Sequence, residues 1–447
     1  MTGVVVIVLV ALSGSPSFRS EVPIIEVDTH GHAIVHGPRT AADMLVHFDS
    51  AETIQTLGSK PSYSGRVGIE LLGHSSLLFP KKSYALELRD SQNHAAPAAL
   101  LGLSTEAEWV LHGPYSDKTL MRNDVAYALG RRLRLASPRT RFVELFIREG
   151  SWGLTYQGVY LLVEASGRST AALGIAALGS ADTTATTIGG GYIVEMDRVE
   201  QGDDFITLPG DPMSTHRDTL LFVQPQHPAP RQKQWLASYF DSLESSLPPR
   251  TSPADPKVYG RFLDVESFVD FLLLEELVKN IDAYRFSMSM YKDREGPLKM
   301  GPIWDFDLST GNADYDDGCD ADGWLVKQFA SARNAKAPAL WWRGLLQDRS
   351  FDDRVRSRWA ELRRGPLATD SVFAIIAEGA WQLRNAEKRN FERWPTLGKR
   401  LWPNCPIPGR QPPAYYERWE DEVSHLRSWM DARLRWMDAH VGELGPG

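Results

Sequence analysis

Residues Asp264 to Asn280 (DVESFVDFLLLEELVKN) are apolar on almost every helical face. A helix of that kind is stable in water only when other elements cover it on all sides. At 447 residues the chain is long enough to build such a core without cross-links. The residues after this helix narrow the choice further. Phe286 to Tyr291 and Lys299 to Trp304 read as two strands around the turn Asp293-Arg294-Glu295-Gly296. Asp282 precedes this hairpin, and Asp305 and Asp307 come after it. A hairpin returns the chain to its starting point, so the carboxylates are expected at the ends of neighbouring strands, facing one cleft.

The rest of the chain divides into a β-rich front half and a helix-rich back half. Ile24 to Val27, Ala41 to Phe48, Gly65 to Leu72, Lys82 to Leu88, Arg141 to Ile147, Gly158 to Glu164 and Gly191 to Asp197 have strand patterning. Ser116 to Leu133 switches to helical spacing, with Ser116 or Asp117 able to cap its start. Arg231 to Leu247, Phe351 to Arg363, Asp370 to Phe391 and Arg418 to His440 are expected as helices. This order fits one α+β enzyme with two lobes better than three independent domains. The expected division is a leader over residues 1–20, a main domain over 21–365 and a helical C-terminal extension over 366–447 packed on it.

Composition excludes several classes. With 43% hydrophobic and 24% charged residues the chain is an ordinary globular one, not a disordered or coiled-coil sequence. The net charge of −8 argues against nucleic acid as a partner. Two cysteines, Cys319 and Cys405, are too few for a disulfide scaffold or a cysteine zinc module, and nothing in their spacing shows that they meet. The apolar run Val4 to Leu12 is too short to span a bilayer. With the small-residue exit Ser13-Gly14-Ser15-Pro16 it reads as a signal peptide lacking the basic start, which makes the protein secreted, periplasmic or surface-associated without a transmembrane anchor. A buried first strand is the competing reading.

Paired aspartates around a hairpin suit phosphoryl transfer, one orienting the attacking hydroxyl and another holding Mg²⁺ against nucleotide phosphates. Magnesium keeps waters and phosphate oxygens as ligands, so a sparse aspartate set is adequate. Capping of turns is the ordinary alternative for such residues. The aspartate-rich stretch Asn312 to Gly323 (NADYDDGCDADG) fails the EF-hand pattern because its glycine and its twelfth residue are misplaced. A Ca²⁺ site of another kind competes there with a solvated acidic loop that favours basic substrates. His30, His32 and His36 are expected in a loop rather than on a metal.

The run NIDAYRFSMSMYKDREGPLKMGPIWDFDLSTGN closely resembles the signature of the CotH kinase family, the spore coat protein H type of atypical protein kinase. The resemblance extends to KKSYALEL, to Met121-Arg122-Asn123, and to VELFIREGSWGLTYQGVYLLVE. It also takes in GGYIVEMDR and WWRGLLQDRSF, and so covers most of residues 40–365 in order. It implies a protein-kinase-like two-lobed fold and transfer of the ATP γ-phosphate, with Mg²⁺ or Mn²⁺, to Ser/Thr of a protein.

By that resemblance Asp282 is the catalytic aspartate, Asp305 the principal metal ligand and Asp307 a further ligand or its support. Lys82 is assigned to the phosphates, and Arg122 to the same anion. Glu164 is expected to position Lys82 or meet the nucleotide, and Tyr160 and Trp304 to stack on adenine. Each has an ordinary competitor: a solvated strand-edge charge for Lys82, pairing with Asp124 or Glu144 for Arg122, a structural ion pair for Glu164, core packing for the aromatics. Phe286-Ser287 stands where many kinases carry a second metal-binding Asn, and a GxGxxG loop is absent. The rival reading is therefore an inactive adhesin or coat-assembly protein on the same fold. A Mg²⁺-dependent phosphodiesterase is a third.

Overall fold

A computed structural model describes residues 18–151, 153–165, 169–208, 218–248, 255–330 and 338–445. The apolar run at Val4 to Leu12 lies outside the described residues.

Strands Ile24–Asp28, Thr40–His47, Tyr63–Leu72, Ser83–Arg89, Glu108–His112, Thr140–Arg148 and Thr155–Glu164 close into a barrel. Neighbours along the barrel are antiparallel, and it closes where Thr140–Arg148 runs parallel to Ile24–Asp28 with Leu145 opposite Ile25. Alternate residues fill the interior: Val67 and Ile69, Leu86 and Leu88, Val143 and Leu145. Thr140–Arg148 and Thr155–Glu164 are apolar on both faces because helices cover their outer side, where Phe142, Val159, Leu161 and Val163 join the larger core.

That larger core surrounds the Val265–Val278 helix, whose apolar faces are met from several directions. Asp264 caps it by accepting from the Ser267 N–H at 3.0 Å. Trp342 packs on Phe268, Phe271 and Tyr284 at 5.2 to 5.9 Å between ring centres and Trp341 on Phe240 at 5.5 Å, which accounts for the buried Trp341-Trp342 pair. One side of the helix abuts a second, antiparallel sheet of five strands. Its order is Phe205–Thr207, Thr219–Gln224, Tyr192–Met196, Met288–Lys292, Lys299–Ile303.

Two helical expectations change. The helix expected from Ser116 begins at Arg122, because Asp117 folds a turn that caps it: its carboxylate accepts from the N–H groups of Thr119 and Arg122. The segment expected as one helix over Asp370 to Phe391 is two, Thr369–Leu383 and Ala386–Arg393. The break re-aims the second helix onto the barrel. There Arg389 donates twice to the buried Glu144 carboxylate (2.8 and 2.7 Å), and the Trp394 indole donates to the Gln157 carbonyl. The last long helix, Trp419–His440, is anchored by Arg433, which is fully buried against Glu276. The two cysteines are bonded, with Cα atoms 5.7 Å apart.

Candidate active site

Strand register brings the aspartates together. Met288 lies opposite Ile303, so the loop holding Asp282 and the residues after Ile303 leave from one end of the sheet. Met196 lies opposite Met288 on the other side, so Asp197 emerges at the same end. The turns there need unusual backbone. Lys279, Tyr284, Ser287 and Asp305 all have positive φ, from 45° to 69°. Left-handed conformation in so many non-glycine residues is unfavourable and is concentrated at sites where the surroundings hold it.

The surroundings here are asparagines. Asn280 donates to the Asp305 carbonyl at 3.3 Å, and its own carbonyl accepts from the Asp282 N–H at 3.3 Å. Asn123, in the first turn of the Arg122–Arg132 helix, accepts from the Phe306 N–H at 2.8 Å and donates to the Asp307 carboxylate at 2.9 Å. Asn312 donates to the Asp307 carbonyl at 2.8 Å. The peptide groups that follow Asp305 and Asp307 are thus gripped from three separate elements. His112, at the end of a barrel strand, is 3.2 Å from the Asp307 carboxylate.

The electrostatics are those of a negative site with too few cations. Burial, then repulsion from Asp307 and Asp282, pushes the Asp305 carboxyl up to about 7, with only His112 opposing. Burial also raises Asp282, against the pull of Arg285 and Arg198. Burial alone would lower His112, but Asp307 with Asp305 and Asp117 together outweigh it and hold the imidazole above its ordinary range. Among the described residues, no three His, Cys, Asp or Glu side chains converge as a fully protein-ligated metal centre requires. The donor set still fits Mg²⁺ or Mn²⁺, which take one or two carboxylates and complete their shell with phosphate and water.

The other expected site residues fall in different places. Lys82 turns away and donates to the Leu77 carbonyl. Its neighbour Lys81 points inward, fully buried, donating to the Val159 carbonyl at 2.6 Å and to Asn390 at 2.8 Å. Burial holds Lys81 well below its ordinary range and so disfavours its charged form, which Asp117 and Asp307 only partly offset. Arg122 pairs with neither Asp124 nor Glu144 but with Asp117, at 2.5 Å and fully buried. Glu164 accepts from the Ser104 N–H and from Arg139, an ion pair that joins barrel strands to the loop before them. Tyr160 is buried inside the barrel between Tyr84 and Lys81. Trp304 is partly exposed and packs on Tyr127 beside Asp305.

The acidic loop does not present its oxygens for calcium. Lys279, left-handed at the helix end, places its ammonium on the carbonyls of Asp317, Asp320 and Asp322 at 2.7 to 3.0 Å, where a cation would sit. Arg433 takes the carbonyls of Ala321 and Gly323. His30 pairs with Asp43 and His36 with the Leu71 carbonyl, so these histidines do not converge.

Sequence reasoning passed over Lys81, His112, Asn123 and Asp197 as site residues. Asn123 and Asp197 lie inside two of the motifs that carry the family resemblance, Met121-Arg122-Asn123 and GGYIVEMDR. His112 closes the strand Glu108–His112, which has no alternating pattern long enough to mark it, and nothing local singles it out.

No match was found among curated proteins. Among solved structures the chain is similar to the crystal structure of a Helicobacter pylori proinflammatory kinase, CtkA, at 10% identity and a TM-score of 0.29. That similarity covers 80% of this chain and 94% of the other. The model of the family described as CotH kinase protein matches residues 69–437, which takes in the barrel from its third strand, the aspartate cluster and most of the last helix. The chain belongs to the CotH kinase family.

Proposed function

We propose that the protein transfers the γ-phosphoryl group of ATP to a serine or threonine hydroxyl of a protein substrate outside the cytoplasm. The observation that carries this reading is that the segments bearing Asp197, Asp282 and Asp305 leave the sheet at one end, with Asp305 pushed up to about 7 by burial and by repulsion from Asp307 and Asp282. Such a site is completed by a divalent cation and the phosphates it carries.

Asp305 and Asp307 are the residues that would hold Mg²⁺ or Mn²⁺, which when bound neutralises phosphate charge and fixes the γ-phosphate for in-line attack. Asp282, whose burial raises its affinity for a proton, accepts the proton of the attacking hydroxyl. Lys81, rather than Lys82, is the lysine we assign to the phosphates: it is the one aimed into the fold, within the field of Asp307. Its two hydrogen bonds, to Val159 and Asn390, satisfy a neutral amine, and an entering phosphate would favour the charged form and use the third N–H that protonation adds. Trp304 is the aromatic we keep for the nucleotide base. Arg122, Glu164 and Tyr160 act by holding their elements. The Cys319–Cys405 bond supports an oxidising compartment, as the leader reading expects. No described helix is long and apolar enough to cross a membrane.

The test is transfer of label from γ-labelled ATP to a serine-rich acceptor with Mg²⁺ or Mn²⁺, beside folded Asp282→Ala and Asp305→Ala variants. Transfer lost in both supports the reading. Absence of transfer together with no ATP-dependent rise in melting temperature would move the protein to the adhesin or assembly role.

A further inference from the structure

The Asp305–Asp307 segment is gripped from behind by a relay that ends in a covalent bond. Because Asn312 donates its amide to the Asp307 carbonyl, its own carbonyl faces away, and there it accepts from the Asn404 amide at 2.8 Å. Asn404 also donates to the Ser116 carbonyl at 2.7 Å. Both asparagines are buried, and the Asn404 Oδ1 atom has no partner among the described residues. The interior therefore uses Asn404 for its N–H donors alone and carries the cost of an acceptor left bare, an exception that calls for a reason.

The next residue, Cys405, is bonded to Cys319 in the same loop that carries Asn312. The Asp314 N–H donates to the Pro403 carbonyl at 2.9 Å, so a backbone hydrogen bond and the disulfide both join the loop to the Asn404 segment, while the Trp429 indole ties the loop to the last helix through the Cys319 carbonyl at 2.9 Å. Cys319 and Cys405 are separated by 86 residues in sequence. Without the bond, the Asn312–Asn404 contact rests on non-local hydrogen bonds, each of small net value.

We propose that Asn312 and Asn404 are positioning residues for Asp307, and that the Cys319–Cys405 bond locks them so that its redox state sets the affinity for the divalent cation and nucleotide. The inference rests on the reading of Asp305 and Asp307 as the cation-holding pair. In the unlocking step a dithiol supplies two electrons and two protons. The sulfur–sulfur bond breaks to two thiols, and the dithiol closes to its own disulfide. Residues that orient a metal's ligands typically change its affinity by about 10–100-fold when altered.

The experiment titrates Mn²⁺ at fixed ATP and reads the Mn²⁺ concentration giving half of the ATP-dependent rise in melting temperature. Asn404→Asp is nearly isosteric and removes both donations. It is expected to raise that concentration about tenfold, and so are the Cys319→Ser/Cys405→Ser protein and wild type treated with dithiothreitol. In transfer assays KM for the metal–nucleotide is expected to rise more than kcat falls. A folded Asn404→Asp protein and a reduced wild type that both titrate like oxidised wild type overturn the proposal. Should Asn404→Asp fail to fold by circular dichroism, the reduced wild type decides. Asp305→Asn separates the two readings: a shift lost there but unchanged on reduction sinks the relay alone. A shift retained in Asp305→Asn, or absent from wild type, sinks the cation-site reading and the relay with it.

Discussion

Replacing Asp305 by Asn should stabilise the protein at alkaline pH, because the native site holds more negative charge than its surroundings compensate. The carboxyl is pushed from an ordinary value of 3.8 up to about 7 by burial and by Asp307 and Asp282. At about 1.4 kcal/mol per pH unit, full ionisation costs the folded state on the order of 4 kcal/mol. Asp305 keeps some contact with solvent, so screening brings the expected cost to roughly half of that, on the order of 2 kcal/mol. The sign comes from proton binding. Between about pH 4 and 7 the folded state holds a proton that the unfolded state has released, so this contribution to stability is complete below the unfolded value and is lost as pH rises through 7. Asp305→Asn removes that dependence. With an unfolding entropy of roughly 2.1 cal/mol/K per residue, 2 kcal/mol corresponds to a rise of about 2 °C in melting temperature at pH 8. The gain should shrink steadily below pH 7 and vanish near pH 4. Added Mg²⁺ with ATP should raise the wild type and leave the variant unmoved. A variant melting at or below wild type at pH 8, or one whose gain is as large at pH 4 as at pH 8, would refute the electrostatic reasoning.

The placement of charges sets three further outcomes. Lys81→Met is expected to lower phosphoryl transfer by about 100-fold or more, since it removes the amine assigned to the phosphates, while Lys82→Met leaves it within a few-fold; equal losses in a labelled-ATP assay would contradict the assignment. Arg389→Ala strands the buried Glu144 carboxylate and should cost about 3 kcal/mol in urea denaturation. Glu144→Gln combined with Arg389→Met should recover much of that loss, and a double variant no better than the single would show the cost lies elsewhere. Arg122→Ala leaves Asp117 buried and unpaired and should cost about 3–5 kcal/mol without any nucleotide present. A variant as stable as wild type would return Arg122 to the phosphate-contact reading.

Much of the site was legible because its geometry is carried by local pattern. An apolar helix, a loop with Asp282, a hairpin and Asp305 are consecutive in sequence, and the register of one hairpin is enough to place both aspartates at one sheet end. The inward lysine was not legible. Lys81 and Lys82 differ by one position, and strand alternation assigns them opposite faces only when the start of the strand at Ser83 is known. The contribution of Asn390 to Lys81 depends on a helix break at Arg384-Asn385 that periodicity read through. His112 and Asn404 reach the cluster by tertiary packing, from elements with no local signal of their purpose. The acidic loop shows the reverse failure. Its aspartate spacing suggested a cation, but the cation is the ammonium of Lys279, supplied by a helix end outside the motif.

The most direct test of the account is a single-turnover reaction with γ-labelled ATP, Mn²⁺ and a serine-rich protein acceptor, resolving label on acceptor hydroxyls from label released as inorganic phosphate. The account requires label on serine or threonine with wild type and its loss in a folded Asp282→Asn variant. Label appearing only as inorganic phosphate, or transfer undiminished in Asp282→Asn, would contradict it.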